Sequence, residues 1–395
     1  MPGPGSYLIG EEEKKEVLEV IESGQLFRYG DLNDPGFKRK VFTLEREFAE
    51  YCGIPYALAT SSGSSSLLIP LLALGANPGD EVIVPAYTFV ACYSAIIFAG
   101  FIPVLAEIDE SLTLDPNDVE KRISSKTRAI MPVHMLGNPC KMNEILNIAE
   151  RHNLVVIEDC CQAAGASYHG KKVGTMGLTG GFSFNVFKTI TTGDGGMIIT
   201  SDKDMYEHMF GLHDQGHAPS RAGVEVGARS VLGLNFRVNE VSGAIALAQL
   251  RKIDMITSIL HENKQKFKEL ISNAKGFQFR TLNDEKGAIA MVCTVIFERK
   301  EKADAVCKTL GTDTVDNSGW HVYANMEHVL NYFKDINRPV TKGSFPVTDD
   351  ILSRSVNISI GVVDAGLGAG WGLNIHSTDA EIEQKAEEFI KACKL

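Results

Sequence analysis

Short apolar runs alternate with stretches of helical periodicity from about residue 54 to residue 200. The apolar runs are YALAT, EVIVP, IPVLAEI, RAIMPVHM, LVVIED, GFSF and GMIIT. The stretches with apolar residues at helical spacing include SSSLLIPLLALG, DPNDVEKRI and KMNEILNIAERHN. This alternation predicts an α/β fold with a large, mostly parallel central sheet.

Both ends of the chain carry further predicted elements. EEEKKEVLEVIESG and FTLEREFAEYCG predict N-terminal helices that end at glycines. A helical region is predicted from about residue 239 to residue 274, and AIAMVCTVIFE, KADAVCKTLG and RSVNISIGVV then predict a smaller α/β unit. We therefore divide the chain into a large domain, residues 1–260, and a small C-terminal domain, residues 261–395. The Gly-rich VVDAGLGAGWGLN lacks the lysine of a phosphate-binding loop, so it predicts a flexible loop.

One long uncharged segment needs a separate explanation. Residues 82–106 contain no charged side chain and are numerous enough to span a bilayer. Pro85, Gly100 and Pro103 divide the segment into pieces that predict a strand, a helix and a strand. A buried βαβ unit explains this pattern better than a membrane span. The N-terminus also lacks the pattern of a signal peptide, so we expect a cytoplasmic protein without membrane segments.

Charge and cysteine content exclude several classes of function. The net charge is −11, and the chain has no Lys/Arg-rich run, which argues against nucleic-acid binding. Small anionic ligands stay possible because local geometry decides their binding. The eight cysteines form no CxxC pair, so neither a zinc site nor a disulfide framework is indicated. Reduced, buried thiols are the expected state.

A lysine in a stretch with few charges raises the first chemical question. Lys188 lies in FSFNVFKTITTGDGGMIIT, between a predicted strand and a glycine-rich turn. Lysine is costly to bury, because loss of water disfavours the ammonium form. Either the side chain reaches solvent, or its amine is used chemically.

Polar residues also follow other predicted strands, and ligands of open α/β sheets bind beyond the carboxyl ends of the strands. Ser61, Ser62 and Gly63 lead from YALAT into a helix whose free N–H groups suit a phosphate. A serine-rich helix cap has the same composition and is favoured when this motif is taken alone. Glu158 and Asp159 end LVVIED.

An aromatic ring and a further hydroxyl complete the set. Phe89 lies just beyond EVIVP, and Ser183 ends GFSF. Alone, Phe89 would be interpreted as a core residue. Pyridoxal phosphate requires an amine for a Schiff base and a carboxylate against its ring nitrogen. It also needs hydroxyl and N–H groups for its phosphate and an aromatic face for its ring, so this combination fits that cofactor.

Taken in order, the fragments resemble the DegT/DnrJ/EryC1/StrS family of sugar aminotransferases. The motifs are SSGSSSLL, GDEVIVPAYTFVA, MPVHMLG, VVIEDCCQAAGASYHGKKVGTMG, FSFNVFKTITTGDGGMIIT and GLNFRVNEVSGAIALAQL. The resemblance covers most of the first 260 residues and is weaker beyond them. It implies an aspartate aminotransferase-like, fold type I pyridoxal-phosphate enzyme. It further implies a smaller C-terminal α/β domain and a homodimer with shared active sites.

The resemblance also implies roles for individual residues. Lys188 would form the Schiff base with pyridoxal 5'-phosphate, and Asp159 would meet the ring nitrogen. The other implied cofactor contacts are Gln162 near the phenolic oxygen, Phe89 stacked on the ring, Ser64, Ser65 and Ser183 at the phosphate, and Asn235 at the phosphate of the neighbouring subunit. Some family members are dehydratases with histidine in place of the lysine. Lysine at this position favours transamination.

This chain departs from the family pattern at two places. Gly63-Ser64-Ser65 stands where the family usually has Gly-Thr-Ala. Serine keeps the hydroxyl that binds phosphate, but an extra hydroxyl replaces a methyl group. The segment that leads up to the lysine, FNVFK, lacks the polar residues that are commoner there in the family. The second departure bears on how the substrate approaches.

Several segments resemble one branch of the family. VHMLGNPCKMNEI, HDQGH, LNFRVNEVSGAIALAQLRKID and SGWHVYANMEHVLN are most similar to the branch that makes 8-amino-3,8-dideoxy-octulosonate, a lipopolysaccharide sugar. This similarity implies transfer of an amino group from an amino acid, glutamate, to the free keto sugar acid 8-oxo-3,8-dideoxy-octulosonate. Candidate substrate-binding residues are His213, His217, Trp320 and His321, for each of which a structural role is an equal explanation.

Two alternatives stay open. One is a transaminase that acts on a nucleotide-linked keto-deoxysugar or a cyclitol. The other is a protein that binds pyridoxal phosphate without turnover.

Overall fold

The computed structural model describes residues 2–219, 231–362 and 364–394. The strands are β1 (Tyr56–Thr60), β2 (Glu81–Pro85), β3 (Ile102–Ala106), β4 (Thr127–Ile130), β5 (Val155–Asp159), β6 (Ser167–Tyr168), β7 (Lys171–Lys172), β8 (Thr179–Ser183), β9 (Gly196–Thr200), β10 (Phe277–Phe279), β11 (Val292–Phe297) and β12 (Ser355–Ser359). The helices are α1 (Pro4–Tyr7), α2 (Glu11–Ser23), α3 (Lys40–Cys52), α4 (Gly63–Leu74), α5 (Ala91–Phe98), α6 (Pro116–Arg122), α7 (Met142–His152), α8 (Lys203–His213), α9 (Glu240–Leu250), α10 (Ile253–Ile271), α11 (Lys300–Leu310), α12 (Glu327–Asp335), α13 (Pro346–Arg354) and α14 (Asp379–Cys393).

A seven-stranded sheet in the order β1-β9-β8-β5-β4-β2-β3 forms the centre of the described structure. Neighbouring strands from β8 to β3 pair in parallel, whereas β9 is antiparallel to both β1 and β8. The mostly parallel sheet is therefore confirmed. Strands β2, β8 and β9 are buried along their whole length, as expected for a sheet covered by helices on both faces.

The long uncharged segment folds as the sequence predicted. It supplies most of β2, then α5, then most of β3, and the two strands pair in parallel. Because α5 packs against the sheet and against α4, its apolar residues on several sides are buried. Among the described residues, no helix combines the length and the hydropathy that crossing a bilayer requires.

A second, three-stranded antiparallel sheet, β10-β11-β12, lies in the C-terminal part, where α10, α11 and α13 pack against it. Helix α10 runs without interruption across residue 260, so the division proposed there stays a prediction. The Gly-rich segment is a loop with a 3₁₀ turn at Ala365–Leu367. Its Leu367 and Ala369 are buried, so this loop is packed into the structure.

A buried ion pair joins the N-terminal segment to the central sheet. Arg28, 1% exposed, donates from one guanidinium nitrogen to both carboxylate oxygens of Glu45, at 2.9 and 3.0 Å. Glu45 lies on α3 and also accepts a bond of 2.8 Å from the backbone N–H of Ala59 on β1. The rings of Tyr29 and Phe210 lie 5.0 and 5.7 Å from the guanidinium carbon, within cation–π range. Three chain segments thus converge on one carboxylate.

We predict that Glu45→Ala lowers the free energy of unfolding by about 3 kcal/mol or more, because it leaves the Arg28 charge buried and unpaired. Urea denaturation of the purified variants measures this loss. The matched control is Glu50→Ala, on the same helix, where an exposed carboxylate meets Arg46 at 3.8 Å. The control should change stability by about 0.5 kcal/mol at most. Equal losses in the two variants would contradict the role given to the buried pair.

Candidate active site

A cavity of about 510 Å³ opens at the carboxyl ends of β5 and β8 and at the N-terminus of α4. Its lining includes Lys188, Asp159, Phe89, Gln162, Ser64, Ser183, Trp320 and His321 among the residues nominated from the sequence. The location follows the rule that ligands of open α/β sheets bind beyond the strand ends. Residues from the C-terminal part close the cavity from the other side.

The turn after β8 places Lys188 at this cavity. The carbonyl oxygen of Asn185 accepts a bond of 2.9 Å from the backbone N–H of Lys188, and the Asn185 amide donates to Asp194 Oδ1 at 3.2 Å. The Lys188 side chain is partly exposed, and its Nζ lies 6.0 Å from the centroid of the Phe89 ring. Among the described residues, no carboxylate forms an ion pair with this amine. The amine is therefore available to a ligand in the cavity.

Asp159 is the last residue of β5 and is only 4% exposed. Its Oδ1 accepts a bond of 2.8 Å from the backbone N–H of Cys161, and its Oδ2 lies 2.8 Å from the Cys92 sulfur. A buried carboxylate is stable only when hydrogen-bonded or paired with a charge. No Lys or Arg side chain of the described chain forms a salt bridge with Asp159, so a cationic group of a ligand can complete its environment.

The neighbouring acid, Glu158, points away from the cavity, because successive side chains of a strand alternate between its faces. Its two oxygens accept backbone bonds of 2.6 to 2.8 Å from Gly174, Met176 and Gly177, and a bond of 3.0 Å from His134 Nε2. His134, Glu158 and Cys160 place potential metal-ligand atoms within 4.8 Å of one another. A metal would have to displace the bonds that already satisfy Glu158, so we interpret this group as structural.

The serine-rich segment forms both a helix cap and part of the cavity. Ser62 is the N-cap of α4: its hydroxyl accepts from the Ser65 N–H at 3.1 Å, and the Ser65 hydroxyl accepts from the Ser62 N–H at 3.0 Å. Ser64 is exposed and lines the cavity, whereas Ser65 is buried. The cap interpretation is confirmed for Ser62 and Ser65. Ser64, with the first N–H groups of the helix, faces the cavity.

A glycine shapes the floor beside these groups. A Cβ atom at Gly63 would lie 2.6 Å from Ser183 Cβ and 3.1 Å from the Cys161 sulfur. Only glycine therefore lets α4 begin this close to the end of β8. The hydroxyl of Ser183 accepts from the Asn185 N–H at 3.2 Å.

Gln162 ties the cavity to the loop after β4. Its side-chain oxygen accepts a bond of 2.8 Å from the backbone N–H of Leu136, a residue with a φ of 53°. This bond fixes the orientation of the amide, whose NH₂ group remains for an acceptor in the cavity. Gln162 is 5% exposed.

The roof of the cavity comes from distant parts of the sequence. The backbone N–H of Thr88 donates to the His321 carbonyl at 2.9 Å, and that of Val90 donates to the Trp320 carbonyl at 3.0 Å. These bonds hold the Phe89 ring 5.3 Å from the His321 ring, measured between centroids. Trp320 is 57% exposed at the edge of the cavity.

The hydrogen bonds of His321 define its tautomer. The Ser318 hydroxyl donates its proton to the Gly366 carbonyl, so it accepts from the Nδ1–H of His321 at 2.9 Å. Nε2 therefore carries the lone pair. Burial, followed by the nearby Lys188 ammonium, lowers the pKa of His321 to about 3. His321 is thus a neutral hydrogen-bond acceptor at physiological pH.

Besides Ser65, which belongs to the helix cap, three nominated residues lie outside the lining of this cavity. Asn235 is exposed, and Asn239 rather than Asn235 is the N-cap of α9, so the capping alternative for Asn235 is wrong. His213 is fully buried, and burial lowers its pKa to about 3. His217 is 9% exposed and likewise absent from the lining.

Several lining residues were not predicted from the sequence. Asn185, Asp194 and Met291 line the cavity, as do Asp364 and Gly366 of the Gly-rich loop. The glycine turn after Lys188 could have indicated Asp194. Nothing in the sequence indicated that residues near 291 and 364 would meet the end of β8.

Comparisons with known proteins agree with this arrangement. The model of the DegT/DnrJ/EryC1/StrS aminotransferase family matches residues 8–363. The chain is 41% identical to a GDP-perosamine synthase of Caulobacter vibrioides over 61% of its own length and 62% of that relative. It is 30% identical to a GDP-perosamine synthase of Vibrio cholerae over 88% of its own length and 90% of that relative.

Solved structures show the same fold. The aminotransferase PseC of Helicobacter pylori superposes with a TM-score of 0.83 at 22% identity, covering 100% of this chain and 98% of that one. DesV of S. venezuelae superposes with a TM-score of 0.81 at 26% identity, covering 97% and 95%. The predicted fold type I architecture of pyridoxal-phosphate enzymes is thereby confirmed. This chain belongs to the DegT/DnrJ/EryC1/StrS aminotransferase family.

Proposed function

We propose that this protein is a pyridoxal-phosphate-dependent aminotransferase that moves an amino group from an amino acid, glutamate, to a keto-deoxysugar. One observation carries the proposal: an amine without an ion pair, Lys188, and a buried carboxylate without a cationic partner, Asp159, line the same cavity of the described chain. The cofactor requires both groups.

The residues at the cavity fit this cofactor. The start of α4 offers the N–H groups of Gly63 and Ser64 and the Ser64 hydroxyl to an anion, with Ser183 beside them. The Ser65 hydroxyl is already engaged by Ser62, so its assignment to the phosphate is weaker than that of Ser64. A side chain at residue 63 would fill the space beside Ser183, so Gly63 leaves that space to an anion.

The ring would be held by three further side chains. Phe89 presents an aromatic face at the cavity, 6.0 Å from the Lys188 amine. Gln162 offers its NH₂ group to the phenolic oxygen, because its side-chain oxygen is bound to Leu136. Asp159 would accept a hydrogen bond from the protonated ring nitrogen, which an anionic carboxylate favours.

When bound, pyridoxal phosphate supplies an electron sink for the charge that develops at a carbon losing its proton. Lys188 would supply the amine that holds the cofactor at its aldehyde carbon, with water as the leaving group. In its free form, the Nζ of Lys188 would accept a proton from the α-carbon of the amino donor and return one to the carbon of the acceptor. Asp159, fixed by its two donors, keeps its orientation throughout, so its charge is in place before the donor arrives.

For the acceptor, we propose 8-oxo-3,8-dideoxy-octulosonate, which the branch-specific motifs support. A nucleotide-linked keto-deoxysugar is the second candidate, because the relatives reported above are GDP-perosamine synthases. Both acceptors are rich in hydroxyl groups. Asp364 and the bare Nε2 of His321 offer acceptors for such groups at the cavity, and exposed Trp320 offers an apolar face for a sugar.

We further propose a homodimer in which Asn235 reaches the cofactor phosphate of the partner. The Asn235 side-chain oxygen accepts from the Arg237 N–H at 3.1 Å, which leaves its NH₂ group to donate. Asn235 is exposed and lies outside the cavity of its own chain. Leu232 and Leu234 next to it are 98% and 65% exposed, which suits a face covered by a second copy.

Incubation with glutamate and a panel of keto sugars, followed by mass spectrometry of the products, tests the proposed function. The panel contains 8-oxo-3,8-dideoxy-octulosonate, a GDP-linked 4-keto-6-deoxysugar and a keto-cyclitol. We expect an aminated product and conversion of glutamate to its keto acid with the first acceptor. If only the GDP-linked sugar or only the cyclitol is aminated, the proposed acceptor is wrong and that compound takes its place. A cofactor-loaded protein that does not react with glutamate would support the non-catalytic alternative.

Gly63→Ala tests the phosphate position. We predict about tenfold weaker binding of pyridoxal phosphate or worse, because the added methyl group enters the space beside Ser183. Equilibrium dialysis measures the affinity, and circular dichroism checks that the helix still forms. Gly10→Ala, where the nearest atom would be 3.5 Å away and the cavity is not involved, is the control. Unchanged affinity in Gly63→Ala would contradict a phosphate at this helix.

Mixed dimers of Asn235→Ala and Lys188→Ala chains test the shared site. Each variant alone should be nearly inactive at limiting cofactor, because each lacks one cofactor contact in both sites. Mixing restores one complete site per hybrid, so random assortment should give about a quarter of the wild-type activity. Lack of recovery, with hybrid dimers demonstrated by differently tagged chains, would mean that both residues act within one chain or that Asn235 is only structural.

A further inference from the structure

A cysteine thiol contacts the carboxylate on which the site depends. Cys92 lies on the first turn of α5 and is fully buried. Its sulfur lies 2.8 Å from Asp159 Oδ2 and 3.0 Å from the Thr88 hydroxyl. Thr88 itself lines the cavity, and its backbone N–H holds the His321 carbonyl. These contacts form a chain from the roof of the cavity to the acid at its base.

The protons along this chain have one consistent arrangement. Burial, and then the adjacent Asp159 charge, raises the pKa of the Cys92 thiol well above its usual range, so the thiol keeps its proton. An ionised carboxylate can only accept, so the S–H donates to Asp159 Oδ2. The Thr88 hydroxyl is then the donor to the sulfur. Hydrogen bonds in such a series polarise one another, which strengthens the last one.

We propose that Cys92 is a positioning residue: its S–H bond to Asp159 turns Oδ2 toward the position of the cofactor's ring nitrogen. The role toward the ring rests on the proposed function, whereas the S–H bond exists independently of any cofactor. Cys161 N–H occupies Oδ1 in the same way, so the two donors together fix the plane of the carboxylate.

The physical consequence concerns a shared proton. A donor to the carboxylate stabilises its charged form and lowers its affinity for a proton. The proton between Asp159 and the ring nitrogen then stays on the nitrogen, where the electron sink requires it. Loss of the S–H donor would remove this stabilisation of the charge on the carboxylate.

Infrared spectroscopy of the cofactor-free protein tests the bond itself. Cys92→Val fills a similar volume without a donor, and Cys92→Ser keeps a donor. The difference spectrum of wild type minus either variant isolates the S–H stretching band of Cys92. Cys293→Val is the matched control, because Cys293 is a fully buried cysteine on β11 whose thiol has no carboxylate partner in the described chain.

We expect the Cys92 band at a lower frequency than the Cys293 band, as a hydrogen bond to a carboxylate requires. Bands at the same frequency would overturn the proposal. Because either Cys92 variant isolates the band, the measurement stands even when one of them fails to fold.

Cofactor binding tests the consequence. In Cys92→Val we expect binding of pyridoxal phosphate to weaken about threefold to tenfold. We also expect the absorbance titration of the bound cofactor to shift by up to about one pH unit. Cys92→Ser should restore both values, and Cys293→Val should change neither. A serine variant that behaves like the valine variant would overturn the positioning role. A wild-type protein that binds no cofactor would instead overturn the proposed function and leave the infrared result intact.

Discussion

A carboxylate buried at the end of a parallel strand is the constraint on which the site depends. Asp159 is almost completely inaccessible, and its two hydrogen-bond donors, a backbone N–H and a thiol, are neutral. Within the described chain its charge meets no Lys or Arg in a salt bridge. Neutral donors only partly offset the cost of burying a carboxylate, so the site is complete only when a ligand brings a cationic group. A protonated ring nitrogen meets that requirement.

The sheet decides which groups can surround this carboxylate. Because β5 and β8 pair in parallel, Asp159 and Ser183 leave the sheet at the same edge, and the turn after β8 brings Lys188 to the same cavity. The alternation along β5 sends Glu158 to the opposite face, where backbone N–H groups satisfy it. Strand β5 thus carries one acid that the protein's own N–H groups satisfy, Glu158, and one that can meet a ligand in the cavity, Asp159.

The sequence predicted the elements that repeat locally and missed those that meet only in space. The βαβ unit of residues 82–106 followed from Pro85, Gly100 and Pro103, and the strand ends indicated Asp159, Phe89 and Ser183. The lining roles of Met291 and Asp364 depend on loop packing that has no period in the sequence. The same limit explains the errors: Asn235 and Asn239 are equivalent as capping residues until the start of α9 is known.

The proposed function requires Lys188 to hold pyridoxal phosphate in this cavity. The most direct measurement is reduction of the cofactor-loaded protein with borohydride, which makes an amine–cofactor linkage permanent, followed by proteolysis and mass spectrometry of the peptides. We expect the cofactor's mass on the peptide that contains Lys188 and on no other peptide. A labelled peptide that carries another lysine, or a cofactor released unlinked after reduction, would contradict it.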